Sequence, residues 1–298
     1  MTEMRTLLTP LKSSAYAKQS PKCVKIFLYS QKRGILILHT EEVVLSLKGL
    51  KKSYGAKEVL KGIDLDVTCG QIIGYIGPNG AGKSTTIKLL LGLEEGYEGE
   101  IEIFGQKLQP GDYEYKRKIG YVPEIAELYD NLTAIEYLTF IGELYGMEAS
   151  KAEAKAKRLM RAFGLDNVFY SRISSFSKGM KQKVMIISSL LHNPDLLFLD
   201  EPLSGLDANS VMIFKEILSQ LAASGKTIFY SSHIMDVVEK ISSRIILING
   251  GKIVADGSFE QLQKQNVEGS LEQIFNQLTG FDEFGDLAGE FVSIVREV

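Results

Sequence analysis

The segment Gly77-Pro78-Asn79-Gly80-Ala81-Gly82-Lys83-Ser84-Thr85 constrains this chain more than any other. It lies between an apolar run, Ile72 to Ile76, and a second run that carries Ile87, Leu89, Leu90 and Leu91. A strand, a glycine-rich loop and a helix in that order make a phosphate-binding loop. Three glycines free the backbone to turn its N–H groups toward one point, and a helix starting near Gly82 adds the positive end of its dipole there. The main chain alone can then hold a polyphosphate. In this reading Lys83 reaches the β- and γ-phosphates, Ser84 offers its hydroxyl to Mg2+, and Thr85 is the next donor along the helix.

A chain of 298 residues can bury a full α/β core. The pattern around the loop predicts one nucleotide-binding unit with an inserted helical lobe. Glu42 to Val67 reads as two strands joined by a turn over Ser53 to Lys57, with Tyr54 on the turn. Gly99 to Gly105 and Lys118 to Val122 read as strands that continue the same sheet. From Pro123 to Phe176 the periodicity turns helical, with helices over Leu132–Tyr145 and Ala152–Phe163. Asp195 to Asp200 is a continuous apolar run of the kind found in a parallel strand buried on both faces. A helix near Ser210–Ala223 and a strand over Thr227–Ser231 follow. Ile245 to Val254 folds about Asn249-Gly250-Gly251 as a hairpin, and two short helices, Ser258–Lys264 and Leu271–Leu278, precede an acidic end. Alternating strands and helices point to a mostly parallel sheet.

Phosphoryl transfer needs one carboxylate to hold the metal ion and another to orient the attacking water. Asp200 and Glu201, at the end of the buried strand, are the candidates for these two roles. His233 follows the Thr227–Ser231 strand at its carboxyl end, where parallel sheets place ligand groups, and its ring can donate to a γ-phosphate oxygen and couple to Glu201. Ser177 caps a helix that opens at Phe176-Ser177-Lys178-Gly179-Met180, a second anion site. On the helical lobe it cannot easily face the chain's own loop, which points to a phosphate held by a second copy. Tyr54, exposed beside the site, can stack on a base.

Taken in order, these motifs resemble the ATP-binding subunit of an ABC transporter over about residues 43 to 280. The Walker A of that family is Gly77 to Thr85, its Walker B is Leu196 to Asp200 with the catalytic Glu201, and its D-loop is Ser204 to Asp207. Its switch histidine is His233 and its adenine-stacking aromatic is Tyr54. The resemblance implies a P-loop NTPase fold with a mostly parallel core sheet, an antiparallel β subdomain and a helical subdomain at about 125–190. It implies ATP and Mg2+ as ligands, a head-to-tail dimer with a second ATP-binding subunit, and a separate integral membrane permease. Each ATP would lie between one chain's Walker A and the partner's signature, here Ser177 and Gly179, with Asp207 nearby. Two positions depart from the family pattern. The signature loses its glutamine, and the Q-loop glutamine is Glu124, which can still accept from water or approach Mg2+ but cannot donate as an amide does. Both variants resemble those of bacterial exporter ATPases.

Charge bears on partners. The net charge of −3 argues against nucleic acid. Residues 1–40 hold seven Lys or Arg against Glu3, so this head is net +6 and the rest of the chain −9. Residues 1–42 read as a basic extension, of a composition that anionic lipid or a targeting role would also suit, and 281–298 as a tail. Cys23 and Cys69 make no metal or redox spacing. The longest apolar stretch, Val24 to Leu38, is broken by Lys25, Lys32 and Arg33, so no segment is expected to span a bilayer and the chain would sit peripherally on the cytoplasmic face of the membrane. A DNA-repair or chromosome-maintenance ATPase of the same superfamily is the alternative. It would split the motifs by long coiled coils or zinc modules, and the chain has neither. A small-molecule kinase would not need Ser177 to Met180 or the loop at Ser204 to Asp207.

Overall fold

The computed structural model describes residues 24–31, 34–266, 269–280 and 284–296. Strands β1 (Val24–Gln31) and β2 (Gly34–Glu41) form a two-stranded antiparallel hairpin in the stretch read as an extension. The rest of the basic head, Cys23 included, lies outside the described residues. Next come β3 (Val43–Tyr54), β4 (Lys57–Thr68), β5 (Ile72–Ile76), α1 (Lys83–Leu90), β6 (Tyr97–Ile103), β7 (Gln106–Lys107) and β8 (Ile119–Val122). Helices α2 (Ala134–Leu144), α3 (Ala149–Ala162) and α4 (Lys178–Leu191) follow, then β9 (Leu196–Asp200), α5 (Ala208–Ala223), β10 (Thr227–Ser231) and α6 (Met235–Ile241). The order ends with β11 (Arg244–Asn249), β12 (Lys252–Gly257), α7 (Phe259–Gln265), α8 (Leu271–Thr279) and α9 (Phe284–Val295).

The central sheet runs β12-β11-β5-β10-β9-β8. Its pairings are parallel except for β11 with β12. Strands β5, β9 and β10 are buried at every residue, which is why their sequences are apolar runs rather than alternations. Successive side chains point to opposite faces, so the sheet divides its residues between two cores. Ile72, Ile76, Leu197, Leu199, Ile228 and Tyr230 pack on one side with the helices. Ile73, Tyr75, Leu196, Phe198 and Phe229 pack on the other with α1 and a second sheet.

That second sheet, in the order β4-β3-β6-β7, is antiparallel throughout. Here the structure corrects the expectation that Gly99–Gly105 and Lys118–Val122 continue one sheet. In β6 only Ile101 and Ile103 are buried while Glu100 faces solvent, so it serves a sheet with one wet face. β8 instead pairs parallel with β9 at the edge of the central sheet.

Helices α2, α3 and α4 form the inserted lobe. Thr133 opens α2 with a capping box to Glu136, and Ser177 caps α4 by accepting from the Met180 N–H. Among the described residues no helix is long and apolar enough to cross a membrane.

Candidate functional site

The site lies at the carboxyl ends of the parallel strands, the edge where open α/β sheets collect their ligand groups. A cleft of about 320 Å³ is lined by Asn79, Gly80, Gly82, Lys83, Ser84 and Thr85 after β5 and by Glu124 after β8. Asp200 and Glu201 at the end of β9, and Ser231 and His233 at the end of β10, complete the lining on that side. Lys57 and Val59, from β4, line its remaining side.

The loop after β5 is tight. Gly82 is the N-cap of α1 at φ +112°, and a Cβ there would come within 2.5 Å of the Leu60 side chain, so only glycine fits. The Lys83 ammonium donates to the carbonyls of Gly77 at 2.5 Å and Pro78 at 3.1 Å. Ala81 is buried and its N–H donates to the Pro78 carbonyl. Of the nine loop residues, Gly77, Pro78 and Ala81 therefore shape the turn and hold Lys83, while the other six face the cleft. Behind them the Tyr75 hydroxyl lies 3.1 Å from Thr86 Oγ1, and burial pushes it up to about 12.

Strand register brings the acids to the loop. Asp200 pairs with Ser231, so Glu201 falls opposite Ser232. Glu201 adopts φ +46°, a left-handed conformation unusual for a residue with a side chain, and its N–H donates to the Ser231 carbonyl at 3.0 Å. Its Oε2 accepts from Ser232 Oγ at 3.1 Å, and Oε1 lies 3.5 Å from His233 Nε2. Burial raises the pKa of Glu201 from its ordinary value, opposed by His233 and Ser232. Burial likewise raises Asp200, with Ser231 and Lys83 opposing and Glu124 adding to the rise. Burial lowers Lys83, and Asp200, Glu201 and Glu124 pull it back up. One cation thus faces three carboxylates, an arrangement that suits a bound anion with a metal ion between them.

Among the described residues no group of three or more His, Cys, Asp or Glu is arranged to hold a metal by itself. The oxygen donors at hand are the Ser84 hydroxyl and the carboxylates of Asp200 and Glu124. A small donor set of hard oxygens fits Mg2+, which keeps several waters and takes its other ligands from substrate phosphates.

Four predicted residues outside the loop lie off this cleft. Ser177 and Gly179, at the head of α4, do not line it, nor does Asp207, the N-cap of α5. Asp207 accepts from Ser210 N–H and Oγ and lies 3.3 Å from Lys183, and the Ser210 bonds first of all depress its pKa. Tyr54 also lies outside the lining. It is 44% exposed, with the Lys52 ammonium 4.8 Å from its ring centre. Sequence reasoning missed Lys57, Val59, Ser231 and Ser232. No local motif marks them; the folding of the β3–β4 hairpin and the β9–β10 register bring them in.

Known proteins resemble this chain in sequence and in fold. The family model described as ABC transporter matches residues 60–204. The linearmycin resistance ATP-binding protein LnrL of Bacillus subtilis is 39% identical, over 72% of this chain and 69% of its own length. A structure of the ATP-binding subunit of an ABC transporter matches with a TM-score of 0.74 at 35% identity, over 79% of this chain and 99% of that one. A dimeric ATP-binding cassette in a post-hydrolysis state, bound to ADP and Pi, matches with a TM-score of 0.66 at 25% identity, over 72% and 98%.

Proposed function

We propose that this chain, which belongs to the family of ABC transporter ATP-binding proteins, hydrolyses ATP between two copies of itself to drive transport through a separate membrane permease. The carrying observation is that Lys83, Asp200, Glu201 and His233 meet in one cleft while Ser177 and Gly179 stay off it. A site with a phosphate cradle, a base and a switch but no closing face is completed by a surface from elsewhere, and the capped N-terminus of α4 offers N–H donors for the γ-phosphate. The dimeric, ADP-bound relative supports this reading.

In that dimer Lys83 and the loop N–H groups bind the β- and γ-phosphates of ATP and Tyr54 stacks on the adenine. Glu201 orients and deprotonates the attacking water, and His233 donates to the γ-phosphate. Ser84 and Asp200 would hold Mg2+, with Glu124 beside them, and the ion would neutralise charge on the phosphate oxygens. Closure around ATP and release after hydrolysis would move the helical lobe, and with it the permease.

We assign to the permease the apolar groove lined by Leu128, Tyr129, Leu132 and Phe140, where Tyr129 is 62% exposed. The chain that lines it begins four residues after Glu124 of the cleft, so a partner seated there would be coupled to nucleotide state through that segment. Transport outward is the direction supported by the linearmycin-resistance relative. The chain would then sit on the cytoplasmic face of the membrane, held by its partner. Affinity purification from detergent-solubilised membranes tests this: an integral membrane protein should co-elute, and less of it with Tyr129→Glu. Recovery of the chain from the soluble fraction alone would argue for a non-transport ATPase.

A further inference from the structure

We infer that Ser232 is a positioning residue for Glu201, fixing its carboxylate through Oε2 and leaving Oε1 as the oxygen free to take the proton of the attacking water. This rests on the reading of Glu201 as the base. Ser232 is 2% exposed, directly after β10, and its hydroxyl makes two hydrogen bonds, with the Tyr230 side chain near it as well. The backbone N–H of Ile234 donates to Oγ at 3.2 Å, which occupies the hydroxyl as an acceptor. Its single proton is thereby directed to Glu201 Oε2 at 3.1 Å.

The consequence falls on the other carboxylate oxygen. Glu201 Oε1 is buried and makes no hydrogen bond of ordinary geometry, and His233 Nε2 at 3.5 Å is too far for a good one. The terminal torsion of a glutamate is broad and nearly two-fold, so an untethered carboxylate would exchange its oxygens freely. With Oε2 tied to Ser232 and the Glu201 N–H tied to the Ser231 carbonyl, the residue is held to the end of β10 once by its side chain and once by its backbone. Glu201 lines the cleft together with Lys83 and His233, and Oε1 is the carboxylate oxygen left without a hydrogen bond. The left-handed backbone of Glu201 needs such ties to persist.

Single-turnover hydrolysis and Mg-ATP titration on the full-length chain test the inference. Ser232→Ala should slow turnover by about tenfold, the scale of a lost hydrogen bond to a charged group, and leave nucleotide affinity within about twofold. Ser232→Thr, which keeps the hydroxyl, should recover most of the rate. In a Glu201→Ala background the Ser232→Ala change should have no further effect, because there is no carboxylate left to position. Wild-type turnover in Ser232→Ala, or an equal loss in both backgrounds, would overturn the inference. Wild-type turnover in Glu201→Ala alone would instead remove the reading of Glu201 as the base.

Discussion

Gln182 Nε2 donates to the Pro202 carbonyl at 3.0 Å, joining the helix that begins at Ser177 to the segment that follows Glu201. Gln182 is 1% exposed, so this is a buried bond between two parts of the site. Close by, Gly179 sits so near Gly205 that a Cβ would come within 2.5 Å of the Gly205 carbonyl oxygen. The head of α4 and the loop after Glu201 are therefore in direct, buried contact. Gln182→Leu should leave the Pro202 carbonyl unpaired at a cost of about 1–3 kcal/mol. Thermal unfolding should show a loss of a few degrees, and an unchanged midpoint would mean that the bond is dispensable.

A second link between lobe and sheet predicts a pH dependence. His192 stacks on Tyr145 with ring centres 3.6 Å apart, and its Nε2 faces the Ile119 carbonyl at 2.9 Å. That acceptor requires the proton on Nε2, which leaves buried Nδ1 without a partner. Burial above all, with Lys155 and Lys226 adding, lowers the pKa below its ordinary value of 6.5. Just below pH 6.5 the unfolded chain binds this proton and the folded one does not, so stability falls on acidification. The stability difference between wild type and His192→Phe should shrink from pH 7.5 to pH 5.5 in thermal unfolding. A constant difference would contradict this.

Lys83→Ala should abolish productive ATP binding, because it removes the one cation that the loop sets beside Asp200 and Glu201. Isothermal titration with Mg-ATP reads this directly, and unchanged affinity would count against the role.

Glu124 lines the cleft at its exposed edge. Replacing it with Gln keeps a side-chain oxygen near the site, so ATP hydrolysis should persist within about threefold. Complete loss of hydrolysis would give the carboxylate a catalytic role of its own.

The parts of the site that could be read in advance are those encoded locally. The loop from Gly77 to Thr85, the acids closing β9 and the histidine after β10 each follow an apolar run that can only be a buried strand. Ser232 sits after the same run as His233 but carries neither charge nor ring to mark it, and Lys57 has no such context; β9–β10 register and the β3–β4 hairpin give them their places. The division of β6 and β8 between two sheets was hidden for a similar reason: alternation shows that one face is wet but not which neighbour supplies the hydrogen bonds. Helix α6 starts at Met235 without a side-chain cap, so nothing in the chain announced it after His233.

The central claim, that Ser177 of one copy closes on the phosphate loop of another, is tested by a disulfide. Asn79 is exposed at the mouth of the cleft and Ser177 is exposed at the head of α4. In a background with Cys23 and Cys69 replaced by serine, Asn79→Cys and Ser177→Cys are placed on separately tagged chains that both carry Glu201→Gln to retain ATP. The account predicts a cross-link between chains that forms with Mg-ATP and is lost with ADP. Absence of that cross-link from an ATP-bound dimer, together with an intrachain bond when both cysteines are on one chain, would contradict it.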